Sequence, residues 1–150
     1  MALMAKDYEN DCLVQLRVCG YRITMPRVQV IQALGDAQFA LSPYEIHQKI
    51  LKKGGRIDVV SVYRILATLQ EIGVVHHIGS ADGYFPSRNP NANRQDCAHI
   101  VMSDTRAVVE MPMTEAIRGS LIAEAQKLGY NPTAVKVELV GQAGTTKKSK

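Results

Sequence analysis

A chain of 150 residues, 46% of them hydrophobic, has enough apolar surface for one core or for two small ones joined by a linker. Its formal charge of +4 and isoelectric point near 9.0 come from 18 basic against 14 acidic residues, a mild excess that permits a polyanionic partner without requiring one. No apolar run is long enough for a signal peptide or a membrane span, and three scattered cysteines exclude a disulfide framework, so the chain reads as a soluble, cytoplasmic protein with reduced thiols.

Four helices are predicted before Gly79. The first spans about Lys6 to Val18, with Leu13, Val14 and Leu16 in helical proximity; Cys12 and Cys19 lie seven apart and are expected as small buried hydrophobes. The second starts at Thr24, a good N-cap, has Pro26 in its first turn, and runs through Val28, Ile31 and Leu34 to stop at Gly35. In "SPYE" Ser42 caps the third, Pro43 takes its first position, Glu45 has capping-box spacing, and Gly54-Gly55 ends it. The fourth, "DVVSVYRILATLQEIG", stacks Val62, Leu66, Leu69 and Ile72 on one stripe and projects Ser61, Arg64, Thr68 and Glu71 from the other. "VVHHI", the turn "GSADG" and "YF" then read as a short hairpin, because Asp-Gly is a strong hairpin turn signal. Compact helices followed by a small hairpin outline a winged helix-turn-helix over residues 1–85.

Residues 86–96, "PSRNPNANRQD", contain no large apolar side chain and read as a linker and hinge. Beyond them come a hairpin, a helix capped by Thr114 with Ile117, Leu121 and Leu128 on one side and Gly129 at its end, and the strand "AVKVELV". The fold class is therefore α+β: a winged helix followed by a small β-β-α-β unit over 97–141, with a disordered basic tail over 142–150. A second unit this small is expected to bury its sheet against another copy, making a homodimer.

The amino-terminal end of the fourth helix carries Ser61, Tyr63 and Arg64, the donors a helix needs to read the major groove. Arg22 and Arg27 flank the start of the second helix, and Lys52, Lys53 and Arg56 follow the third, together a phosphate-gripping rim. "RITMPRVQVIQAL", "LSPYEIHQKI" and "VVSVYRILATLQEIGVV" resemble the ferric uptake regulator family, in register from about Gly20 to Phe85 and more faintly to Gly141. The resemblance implies a transcriptional repressor that binds a palindromic operator in double-stranded DNA as a homodimer, with Arg27 and Tyr63 contacting DNA and Arg22, Ser61 and Arg64 nearby. It also implies a second domain that dimerises and senses a divalent metal.

The metal-sensing half departs from the family pattern. Laid on the family's H-x-H-L-I-C-x-x-C-G-x-V-x-E run, "CAHIVMSDTRAVVE" puts Cys97 and His99 at the two histidines and Glu110 at the acid, but Met102 and Thr105 at the two cysteines. Neither can replace a thiolate in a tetrahedral site, so the family's structural zinc, held by four cysteines, is predicted absent, with Met102 as a core residue in its place. With "SDTR" as the turn, Ala98, Ile100, Met102, Ala107, Val109 and Met111 share one apolar face. His99 then stands opposite Glu110 with Cys97 two residues away on the second face. Cys, His and Glu are all ordinary ligands for zinc, and iron or another divalent transition metal is compatible with them.

The family's histidine near the third helix is replaced by Ala40 and its acid after the wing by Pro86; the zinc-responsive branch takes a histidine from the position of "HH", and register favours His76 over His77. The resulting set is His76, Cys97, His99 and Glu110. The same residues also fit the polar face of a sheet, in a regulator that is metal-independent or, like the iron response regulator branch, haem-responsive. Catalysis would have to come from Cys97, His99 and Glu110, and no nucleophile elbow or phosphate-cradling glycine loop accompanies them, so an enzyme is not expected.

Overall fold

The computed structural model describes residues 3–144. Helices α1 (Ala5–Val18), α2 (Met25–Leu34), α3 (Pro43–Lys52) and α4 (Val59–Glu71) precede a two-stranded wing, β1 (Val75–Ile78) and β2 (Gly83–Pro86). A second unit then runs β3 (Cys97–Met102), β4 (Val108–Met111), α5 (Glu115–Lys127) and β5 (Lys136–Gly141). The fold is α+β, a winged helix followed by a β-β-α-β unit.

Local signals set the helix boundaries. Thr24 Oγ1 accepts from the Arg27 amide to open α2; Ser42 and Glu45 form a reciprocal capping box on α3; Asp58 caps α4 through the Ser61 amide at 2.7 Å. The buried stripes of these helices close one core, with Val30, Ile31 and Leu34 of α2, Ile46 and Ile50 of α3 and Val62, Leu66 and Leu69 of α4 meeting Tyr8 and Leu16 of α1. The Tyr8 hydroxyl donates to the Val74 carbonyl at 2.8 Å, which ties α1 to the entry of the wing. Cys12 is buried in this core, whereas Cys19 lies past the end of α1 and is exposed, contrary to its expected burial.

The wing turn runs through a 3-10 turn (Gly79–Ala81) and Asp82 in the left-handed region, φ 49°, as the Asp-Gly signal requires. The second sheet has order β4-β3-β5, with β5 parallel to β3 and the β3–β4 register pairing His99 with Glu110. Its inner face, carrying Val101 and Val108, packs on the wing side through Ala40, Ile78, Ala81 and Phe85 in a second apolar cluster. The outer face holds Ile100, Met102, Val109, Met111 and Leu139; Val109 is 51% and Leu139 49% exposed. Met102 is half-buried at the sheet end rather than in the core, and α5 has no fully buried residue.

Residues 86–96 join the two units, but Pro86 belongs to β2 and the remainder is strapped down on both sides instead of hanging as a free hinge. Arg94 makes a bidentate pair with Asp11 of α1 at 2.7 and 3.0 Å; Gln95 donates to the carbonyls of Gln70 and Glu71. On the other side Asp96 accepts from Arg118 of α5 at 2.6 Å and from the Val135 amide at 2.9 Å. The expected tail lies, from residue 145 onward, outside the described residues.

Gly73 ends α4 at φ 79°, and a Cβ there would stand 2.5 Å from Arg94 Cβ. Gly73→Ala combines a left-handed backbone with a collision against the strap, so it should lower stability by at least ~2 kcal/mol, read as a lower urea midpoint.

Candidate metal centre and nucleic-acid interface

β1 and β3 bring two imidazoles together. His76 faces inward from the wing, and its ring centroid is 5.5 Å from that of His99 on β3; Phe85 stands edge-on to His99 at 6.0 Å. His77, the next residue of β1, is exposed and packs against Tyr84. His99 is fully buried, and among the described residues neither of its ring nitrogens has a hydrogen-bond partner; His76 Nε2 is likewise unpartnered. Leaving such atoms unsatisfied costs about 1–3 kcal/mol each.

Burial sets the protonation of the pair. Desolvation pushes His76 down to about 3, with the neighbouring His99 and Lys136 adding to the shift, and His99 down to about 4, against the opposing pull of Glu138. Both rings are therefore neutral near physiological pH, the form that ligates a metal. Cys97, on the same face two residues before His99, is buried and held up at about 11 by desolvation, with Lys136 acting in the opposite sense. It would have to release a proton on becoming a ligand.

Glu110 lies in register with His99, but its carboxylate turns to the strap and accepts the Arg88 amide at 2.6 Å. Burial raises it to about 7, the Arg88 amide working in the other direction. It borders a cavity of about 360 Å3 with Phe85, Arg88 and Val108. Of the four residues expected to ligate, the structure pairs His76 with His99, sets Cys97 on the same face and turns Glu110 aside. Among the described residues no three His, Cys, Asp or Glu side chains are placed to hold one ion. The donor types and the orphaned nitrogens fit a late transition metal, while the Glu110 carboxylate is committed elsewhere.

No sequence motif marks Glu138. It stands beside His99 in the parallel β3–β5 register and accepts from the Gly79 amide (2.9 Å), the Ser80 amide (3.0 Å) and the Ser80 hydroxyl (2.6 Å) at the wing turn. Arg106, in the left-handed region at φ 65°, donates to the Ala81 carbonyl at 3.0 Å. The wing turn is thus held by β5 and by the β3–β4 turn. Only the parallel pairing of β5 brings Glu138 there, and a lone glutamate in "AVKVELV" does not announce that pairing.

The other site lies on α4. Tyr63 (56% exposed) and Arg64 project outward from its first two turns, and Ser61 is half-buried with its amide given to the Asp58 cap. Arg27 donates to the Arg22 carbonyl at 2.8 Å and stacks over Tyr21, whose hydroxyl donates to Glu71 at 2.9 Å. Arg22 and Arg56 are exposed, as are Lys52 and Lys53 at the end of α3.

The model of the ferric uptake regulator family matches residues 19–140. This chain belongs to the ferric uptake regulator family. Its members are transcription regulators rather than enzymes. A ferric uptake regulation protein of Brucella abortus is 30% identical over 133 residues, 89% of either chain. Among solved structures, a zinc uptake regulator complexed with zinc and DNA superposes with a TM-score of 0.79 at 20% identity, covering 95% of this chain and 94% of its own. Holo XcZur superposes with 0.75 at 24% identity, covering 91% and 96%. At these identities the superpositions speak for the shared fold. No helix among the described residues of this family member is long and apolar enough to cross a membrane.

If the orphaned nitrogens of His99 serve a ligand rather than the fold, His99→Leu should stabilise the metal-free protein by about 1–3 kcal/mol in chemical denaturation while removing metal uptake. A lowered denaturation midpoint would show that the ring is there for packing alone.

Proposed function

We propose that this chain is a homodimeric winged-helix repressor whose affinity for a palindromic operator is set by a divalent metal ion, zinc or iron. The observation that carries the reading is the buried, neutral His76–His99 pair with three unpartnered ring nitrogens at the junction of wing and second unit. His76, His99 and Cys97 would hold the ion, and Glu110 would join them on leaving the Arg88 amide. When bound, the metal supplies a cross-link between β1 of the wing and β3 of the second sheet. What the chain itself contributes is orientation: Glu138 and Arg106 contact the wing turn, and Asp96 and Arg94 anchor the strap, so the two imidazoles are brought together across the interface the ion would lock.

DNA binding is assigned to α4. Tyr63 and Arg64 would enter the major groove, with Arg22, Arg27 and Ser61 alongside and Lys52, Lys53 and Arg56 on phosphates. The neighbour solved with zinc and DNA supports this reading through its fold. The outer face of the second sheet, with exposed Val109 and Leu139 beside half-buried Ile100, supports dimerisation, because a copy of the same face would cover it. Val109→Asp should then yield a folded monomer by sedimentation.

The purified protein should take up one ion per subunit in native mass spectrometry with elemental analysis, and His76→Ala/His99→Ala should take up none. Arg64→Ala should weaken operator binding at least about tenfold, in line with ~1–3 kcal/mol for a base-reading arginine. Wild-type protein that refuses zinc and iron yet binds its operator unchanged in chelator would identify a metal-independent repressor instead.

A further inference from the structure

The outward stripe of α4 has an unusual composition. Val60, Tyr63, Arg64 and Ala67 occur at i, i+3, i+4 and i+7, and all four are exposed, Val60 at 55%. Solvated helix faces are normally charged. The outer faces of α3 and α5 also expose apolar side chains, Tyr44 and Leu51 on the one and Leu121 on the other, but beside Glu45 and Lys52 or Glu115, Glu124 and Lys127; between Asp58 and Glu71 the only charged side chain is Arg64. A single exposed valine is ordinary. An exposed valine in the first turn of a helix whose neighbouring outward residues are a tyrosine and an arginine has more to explain.

The polar groups nearby do not compete for that role. The Asp58 carboxylate is engaged by the Ser61 amide, and Ser61 is half-buried. The groups that the start of α4 offers outward are therefore a branched alkyl group, a phenol and a guanidinium. In the major groove the one apolar feature a base pair presents is the C5-methyl of thymine. Valine is stiff at χ1 within a helix, so its methyls are pre-positioned and lose little freedom on contact.

We propose that Val60 is a specificity-determining residue that reads a thymine methyl in each half-site. This rests on α4 entering the groove, and it adds a base preference that Tyr63 and Arg64 do not by themselves specify. A cytosine at that position presents no methyl, and an adenine or guanine presents polar atoms that Val60 leaves unsatisfied.

The test begins by selecting the tightest duplex from a random library with the full-length protein, zinc supplied, then replacing each thymine in turn by deoxyuridine, which deletes only the methyl. At one thymine of each half-site the wild type should lose about fourfold per methyl, the value of one buried methyl-sized group. Val60→Ala, at an exposed position that alanine fits well, should bind the thymine and uracil duplexes within about twofold of each other. Wild type indifferent to every uracil replacement, or Val60→Ala retaining the full discrimination, overturns the assignment while leaving the α4 reading intact. Failure to select any duplex, with Arg64→Ala indistinguishable from wild type on random DNA, removes α4 from the interface and Val60 with it.

Discussion

The wing buries Ile78, Ala81 and Phe85 against Val101 and Val108 of the second sheet, and the two histidines lie within the same contact. That apolar seam excludes water from His76 and His99, keeps both rings neutral and leaves both His99 nitrogens and His76 Nε2 without partners among the described residues. The same seam brings the wing turn within reach of Glu138 and Arg106. Regulation by an ion needs two bodies whose mutual orientation depends on it, and the residues proposed to hold one, His76 on the wing and His99 on the second sheet, sit on both sides of one interface.

The DNA-facing part is built differently. Its helices are closed by caps and by a shared core of Leu, Ile and Val, with no contribution from the histidines. The surface proposed to read DNA can therefore stay formed whether or not an ion is held, and control would act on where that surface points and not on whether it exists. The composition of α4 agrees with this division: one face is wholly committed to the core and the other carries a single charge.

Short-range features were the most legible in the sequence. Thr24, Ser42 with Glu45, the Asp-Gly turn and the alternation around His99 each encode a boundary or a register within a few residues, and the structure reproduces them. Pairings distant along the chain were not legible. Nothing local in "AVKVELV" says that it lies parallel to β3, so Glu138 was invisible as the partner of the wing turn. The polar composition of 86–96 suggested a hinge because its anchors, Asp11, Gln70, Arg118 and Val135, are contributed by segments far away. Glu110 was placed in the right register, but its carboxylate direction depends on the Arg88 amide, which no cross-strand rule foresees. Val60 has no sequence signal of its own, because an apolar residue in an amphipathic helix is as compatible with the core as with the outer face it occupies.

The strap between the units also bears on how the protein can be divided. Asp11 has its carboxylate in a bidentate pair with Arg94, and the Val74 carbonyl accepts from the Ser87 amide as well as from Tyr8. A fragment ending at Pro86, the last residue of β2, respects the boundary drawn by secondary structure but strands that carboxylate and uncovers the end of α4. One ending after Gln95 keeps both. The contacts of the amino-terminal half thus extend about ten residues past its last strand, and connecting sequence that reads as a spacer is part of its shell.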